Sequence, residues 1–213
     1  MIIGIIGATG KSGKFILEEA IERGYNVTAI VRNASKLTNQ KVDVLEKDIY
    51  DLSSEDLKPF DVVVNAFGTT IGEEEPHVTA GHALIKALTG TTVRVIVIGG
   101  AGSLYVDKDK SMKLVDTSEL PINVKSTAKG QGRNLEELQQ SEITWTYLSP
   151  SATFDPEGPK TGSYQTGKDH LLENSKGESY LSYADCAIAV LDEIENPKHI
   201  NERFTIVSES DNN

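Results

Sequence analysis

The chain has a single cysteine, Cys186, in 213 residues. No internal disulfide can form, and a reducing compartment suits it. Histidine is scarce as well: His77, His82, His170 and His199 show no metal-ligand spacing, and no metal is expected. Positive charge is in deficit, with 21 Lys and Arg against 32 Asp and Glu for a formal net charge of −11. That balance argues against a nucleic-acid partner, which requires a basic face, and against an anionic membrane surface. No apolar run approaches the ~20 residues of a membrane span. The apolar start lacks the basic flank of a signal peptide and reads as a strand, so a cytoplasmic location is expected.

What is present begins at the first residues. Ile2 to Ile6 form an apolar run interrupted only by Gly4. It is too short for a helix and has the unbroken hydrophobicity of a strand covered on both faces. Three glycines follow at Gly7, Gly10 and Gly13, then an amphipathic helix over about Lys11 to Arg23, then a second apolar run from Val27 to Val31. Strand, glycine turn, helix and strand within about thirty residues is the layout of a dinucleotide-binding unit. A helix N-terminus carries unpaired N–H groups and partial positive charge, and a pyrophosphate reaches them only where no side chain intervenes. Gly7 permits the tight turn, Gly10 the close approach, and Gly13 the packing of helix on strand. Thr9 and Ser12 add hydroxyl donors and Lys11 adds charge.

Arg32 narrows the choice of dinucleotide. NAD binding is usually marked by an acidic residue at the end of the second strand, where it holds the ribose 2′-hydroxyl. Here that position is Arg32, with Asn33 next and Lys36 close behind. A guanidinium suits a 2′-phosphate, so NADP (NADPH) is expected over NAD.

The pattern then keeps alternating. Strands are expected at Val42–Leu45, Asp61–Asn65, Val93–Ile98 and Ile143–Leu148, with helices at about His77–Leu88 and Ser126–Gln140. Alternation of this kind predicts an α/β fold, a doubly wound, mostly parallel sheet with helices on both faces. Ligands on such sheets sit beyond the carboxyl ends of the strands, so Gly7–Gly13, Arg32, Asp48-Ile49, Ala66–Gly68 and Gly99–Ser103 are expected to line one crevice. Ser149 to Gly167 reads as loops with short strands. A helix near Ser182, a last strand at Arg203–Val207 and a frayed tail at Asp211–Asn213 follow. A chain of this length builds one sizeable core and is short for two. Residues 1–148 are therefore read as the dinucleotide-binding core of a single Rossmann domain. Residues 149–213 are read as a dependent segment that folds over the crevice on the substrate side.

GATGKSG after the first strand, VTAIVRN on the second, KDIYD after the third and VIVIGGAGS on the fifth resemble the extended and atypical short-chain dehydrogenase/reductases. Within that group the chain is similar to small NAD(P)H-binding proteins of the NADH-flavin reductase and biliverdin-IXβ reductase type. The resemblance runs nearly the whole length, through LSPSATFDP and YLSYADCAIAVLDEIENP. It implies that Gly7, Ala8, Thr9, Gly10, Lys11, Ser12 and Gly13 hold the cofactor phosphates and that Arg32 takes the 2′-phosphate. Asp48 and Ile49 would flank the adenine, and Ala66, Phe67 and Gly68 would lie along the ribose and pyrophosphate. Gly99, Gly100, Ala101 and Ser103 would approach the nicotinamide, as would Pro150 and Ser151.

One departure matters. Most short-chain dehydrogenases carry Tyr-x-x-x-Lys at the helix after the fifth strand, with tyrosine as the general acid/base. Here the region reads VKSTAKGQGR: Lys129 matches the lysine, and Lys125 stands where the tyrosine belongs. The flavin and biliverdin reductases also lack this tyrosine, which leaves two readings open. One is an NADPH-dependent reductase of a flavin, quinone or similar conjugated small molecule, with Ser103, Tyr105 and Lys129 as candidate catalytic groups. The other is a non-catalytic NADP(H)-binding, redox-sensing regulator. Of the remaining candidates, His77, His82 and Phe154 are weighed for a pocket role, and Cys186 reads as an inert core residue.

Overall fold

The computed structural model describes residues 1–38 and 42–211, so Asn212 and Asn213 of the expected tail lie outside the described residues. The chain runs β1 (Ile2–Ile6), α1 (Lys11–Glu22), β2 (Asn26–Val31), β3 (Asp43–Glu46), α2 (Ser54–Leu57), β4 (Val62–Asn65), α3 (Glu75–Leu88) and β5 (Arg94–Ile98). It continues through α4 (Ile122–Gln140), β6 (Thr144–Ser149), β7 (Thr153–Asp155), β8 (Gln165–Gly167), β9 (Tyr180–Ser182), α5 (Tyr183–Glu195) and β10 (Glu202–Val207). Eight strands form one sheet in the order β3-β2-β1-β4-β5-β6-β10-β8. Every pairing in it is parallel except β8 with β10. β1 lies between β2 and β4, so the strand order reverses there, and ligand crevices open at such switch points.

The continuous apolar strands are explained by burial on two faces. Ile3, Ile5, Val62, Val64 and Ile96 enter one core beneath α1 and α5. Their neighbours Ile6, Val63, Val95 and Val97 enter a second core beneath α3 and α4. Successive residues point to opposite faces, so a strand that serves both cores has no polar position to spare.

The expected elements are present with shifted ends. α3 starts at Glu75, with Pro76 in its first turn, where a missing N–H costs nothing. α4 starts at Ile122, just after Pro121, one turn ahead of the expected Ser126. The one-turn α2, closed by a capping box between Ser53 and Asp56, has too little periodicity to be read in advance. The C-terminal segment does more than cover the crevice. β10 extends the main sheet next to β6, and α5 packs along α1.

At the end of the sheet away from the crevice, a buried charge cluster joins this segment to the core. The Arg94 guanidinium donates to Glu193, to the Glu193 carbonyl (3.1 Å) and to Thr146 Oγ1 (2.6 Å). Glu193 also accepts from the His199 and Lys198 backbone N–H groups and meets His199 Nδ1 at 2.7 Å. Burial opposes ionisation of Glu193, but the bonds from His199, Arg94 and Lys198 outweigh it and hold the carboxyl below its ordinary value of 4.5. Glu193→Ala should destabilise the protein by about 3–5 kcal/mol in urea unfolding, because Arg94 is left buried without its partner. The wild-type contribution should be complete above pH 4.5 and lost as the pH falls through the lowered folded-state value, and the Glu193→Ala protein should lack that part of the acid sensitivity.

Candidate functional site

The crevice beyond the strand ends is a cleft of about 490 Å³. Its centre is the turn between β1 and α1. Gly7 sits at φ +75, and a Cβ there would lie 2.6 Å from the Ala66 carbonyl oxygen. Gly13 faces back onto the turn, where a Cβ would lie 2.1 Å from the Gly7 carbonyl oxygen. The two positions admit only glycine, and together they press the first turn of α1 against β1. The N-cap is Gly10, which has no side chain to satisfy the leading N–H groups. Those donors face the cleft with Thr9, Lys11 and Ser12 around them.

One end of the cleft is cationic. Arg32, Lys36 and Lys47 line it, with Asn33, Asp48 and Ile49. Arg32 is held by little: its side chain is 76% exposed, and Nε lies 4.0 Å from Asp48 Oδ2. Asp48 is fixed more firmly, its carboxylate accepting from the Tyr50 N–H as the cap of a 3₁₀ turn. Lys47 is drawn toward Asp56, with both carboxylate oxygens at 2.8 Å. With Lys47 paired to Asp56, the exposed Arg32 guanidinium is the group at this end placed to meet a phosphate.

The floor runs from Ala66, Phe67 and Gly68 after β4 to Gly99 after β5. From β2 to β5 is three strand spacings, about 14 Å. Two walls rise beyond it. Thr127 and Gln131, four residues apart on α4, stand on one side with His77 of α3. Phe154 of β7 and Tyr183, the first residue of α5, stand on the other. Phe67 meets His77 edge-on at 5.9 Å and Tyr50 at 6.4 Å. Burial pushes the His77 pKa below its ordinary value, with Glu73 acting weakly in the opposite sense, so the ring is neutral at pH 7.

Several expected residues lie elsewhere. Ala8 is buried in the core, and Gly13 serves the turn from behind. The segment after β5 tucks against α4 instead of lining the crevice. The space a Gly100 side chain would need is filled by Gln131, and that of Gly102 by Ala128. Ala101 begins the same tucked turn, and Ser103 is buried with its hydroxyl and carbonyl both accepting from Arg203 Nη1 at 3.0 Å. Tyr105 pairs with the strand-like segment at His170. Lys129 is exposed on α4, two residues from Thr127 and so on a different side of the helix. Lys125 donates to the Thr117 carbonyl at 2.7 Å. Pro150 and Ser151 are buried, and the Ser151 hydroxyl donates to the Ile206 carbonyl at 2.8 Å. Gly99 does line the floor, but the space of its missing side chain holds the Tyr147 ring. That tyrosine is fully buried, donates to the Gln131 carbonyl at 2.9 Å and accepts from the Gly100 N–H; burial holds its pKa well above the usual tyrosine range.

Thr127, Gln131 and Tyr183 are cleft residues the linear pattern did not point to. The i, i+4 spacing of Thr127 and Gln131 is a helical-face signal, but it becomes useful only once the phase of α4 is known. Tyr183 carries no local mark at all.

Residues 7–197 match the model of the NAD(P)H-binding family, and the chain belongs to that family. It is 59% identical over 213 residues to the Bacillus subtilis (strain 168) protein YwnB, covering 99% of this chain and 100% of that one. Its structure superposes with a TM-score of 0.92 on the Streptococcus pneumoniae TIGR4 protein titled "a putative NADH-flavin reductase", at 40% identity over 98% of this chain and 100% of that one. A Bacteroides thetaiotaomicron protein titled "putative epimerase" superposes with a TM-score of 0.89, at 34% identity over 100% and 99% of the two chains.

The environment of His77 is open to direct measurement. Its NMR titration midpoint should lie below the ordinary 6.5, and Phe67→Ala, which opens the ring to water, should move that midpoint upward. An unchanged midpoint in Phe67→Ala would show that the ring is not desolvated by Phe67.

Proposed function

We propose that the protein is an NADPH-dependent reductase that passes a hydride to a flavin, quinone or similar conjugated small molecule. The observation that carries this reading is the polarity of the cleft. One end gathers Arg32, Lys36 and Lys47, the middle presents the uncapped N-terminus of α1, and the far walls are neutral and partly aromatic. A phosphorylated dinucleotide suits the first two features and a flat conjugated acceptor the third. In this reading Gly7, Thr9, Gly10, Lys11 and Ser12 hold the pyrophosphate and Arg32 holds the 2′-phosphate. Asp48 and Ile49 flank the adenine, Ala66, Phe67 and Gly68 follow the ribose, and Gly99 lies beneath the nicotinamide. Ala8 and Gly13 shape the phosphate turn, while Gly100, Ala101, Pro150 and Ser151 shape the nicotinamide end from beneath.

When bound, the dihydronicotinamide would supply the hydride. The protein's part is to hold the acceptor beside it and keep water out. The name "epimerase" on one relative does not transfer well. Sugar epimerisation on this scaffold depends on the Tyr-x-x-x-Lys pair, whose place is taken by Lys125, bound to Thr117, and the exposed Lys129.

Calorimetric titration with NADPH and NADH tests the cofactor. The protein should prefer NADPH, and Arg32→Ala should weaken NADPH binding by about 10- to 100-fold, the equivalent of about 1.5–3 kcal/mol, with little effect on NADH. Equal affinity for the two, unaltered by Arg32→Ala, would overturn the assignment. Turnover with a panel of flavins, quinones and enones tests the reaction. Tight NADPH binding with none of them reduced would leave a cofactor-binding sensor in place of an enzyme.

A further inference from the structure

Reduction of a conjugated acceptor needs a proton as well as a hydride, and the helix position at which related enzymes carry their tyrosine holds Lys125, turned to Thr117. The cleft itself contains a phenol from a different part of the chain. Tyr183 opens α5, directly after the buried N-cap Ser182, whose hydroxyl accepts from the Asp185 N–H at 3.0 Å. Its ring is gripped from two sides, by Phe154 at 4.0 Å and edge-on by Phe15 of α1 at 6.0 Å. The ring is half-buried, and among the described residues its hydroxyl has no hydrogen-bond partner. A fixed aromatic ring with a free hydroxyl in a cleft is poised to donate to whatever occupies it.

The other groups with a transferable proton are placed differently. Lys11 belongs to the phosphate turn, and Lys36 and Lys47 line the cationic end with Arg32. His77 stands in the wall with Thr127 and Gln131, edge-on to Phe67 and across the cleft from Phe154 and Tyr183; neutral by burial, it carries no imidazolium proton to give. Tyr183 instead packs on Phe154, which follows β6, on the opposite side of the sheet's switch point from Arg32.

We propose that Tyr183 is a catalytic residue, the proton donor to the reduced acceptor, and that Phe154 beside it supplies the surface on which the acceptor's ring lies. The proposal rests on the reductase reading. For an enone, the hydride forms a new C–H bond at the β-carbon, the conjugated electrons move to the carbonyl oxygen, and an enolate results. The Tyr183 O–H bond then breaks, its proton passes to the enolate, and the phenolate left behind takes a proton from water. Burial raises the Tyr183 pKa, which keeps the phenol protonated before the reaction and makes it a donor instead of a base.

The test is Tyr183→Phe, which keeps the aromatic packing and removes only the hydroxyl that carries the proton. With cyclohexenone as acceptor, kcat should fall by about 100-fold or more while NADPH affinity is unchanged. Adding a small buffer acid such as imidazolium should recover part of the lost rate, as a purely structural role for the hydroxyl would not allow. A second readout needs no turnover. The NADP⁺-loaded protein is titrated with p-nitrophenolate, a flat conjugated oxyanion, whose absorbance should shift to shorter wavelength on binding the wild type and not on binding Tyr183→Phe. Wild-type turnover matched by Tyr183→Phe, or the same absorbance shift in both proteins, would overturn the proposal. A wild type that reduces no acceptor at all would instead overturn the reductase reading, and the role of Tyr183 with it.

Discussion

The contact on which the site depends is backbone against backbone. Gly13 lies so close to the Gly7 carbonyl that even a methyl group would not fit, and Gly7 itself turns through a positive φ against Ala66. That contact decides where α1 begins, and so where its free N–H groups point. It also sets the helix's axis against the sheet, which determines how α5 can lie along α1. Phe15 is two residues past Gly13, and it is Phe15 that steadies Tyr183. A steric limit at the glycine turn is thus passed along one helix to the opposite wall of the cleft.

The two faces of the sheet divide the work. The α1/α5 face carries the glycine turn and the aromatic pair, and its core continues through Phe204 and Ile206 of β10. The α3/α4 face carries His77, Thr127 and Gln131 above a core that includes Trp145 and Tyr147. The cluster of Arg94, Glu193 and His199 ties the end of α5 to β5 at the far edge. The C-terminal segment is therefore anchored at both ends of α5: by Tyr183 in the cleft and by Glu193 beneath the sheet.

Much of this was legible in the sequence, and the boundary of legibility is physical. The order of strands and helices could be read because alternating apolar runs serve two buried faces at once. That the glycine turn and Arg32 share one crevice could be read because they are close in the chain and their spacing is set by one turn, one helix and one strand. The segment after β5 was legible in part, for Gly99 lines the floor of the cleft while Gly100 does not. Gly99 and Gly100 looked like room for a cofactor, yet the space beside them is taken by Tyr147 and Gln131 from two other elements. Ser103 and Lys129 lie outside the cleft lining for a related reason, since the partner of one is an arginine a hundred residues away and the direction of the other depends on helix phase. Tyr183 was invisible because nothing near it in the chain says that it meets Phe154.

What brings those two together is a two-stranded parallel ladder separate from the main sheet. β7 and β9 pair with Phe154 opposite Leu181, which places Tyr183 two residues beyond that register. The ladder works as a clasp: it fixes the spacing of the aromatic pair without regard to the path between its strands. The intervening stretch, from Pro156 to Ser179, is held by contacts of its own, such as Thr161 and Gly162 on Asp185 and Tyr164 on Asp192. The position of Phe154 beside Tyr183 is therefore set by three residue pairs of a short ladder, while the stretch between its strands is fastened separately to α5 and, through β8, to the edge of the main sheet.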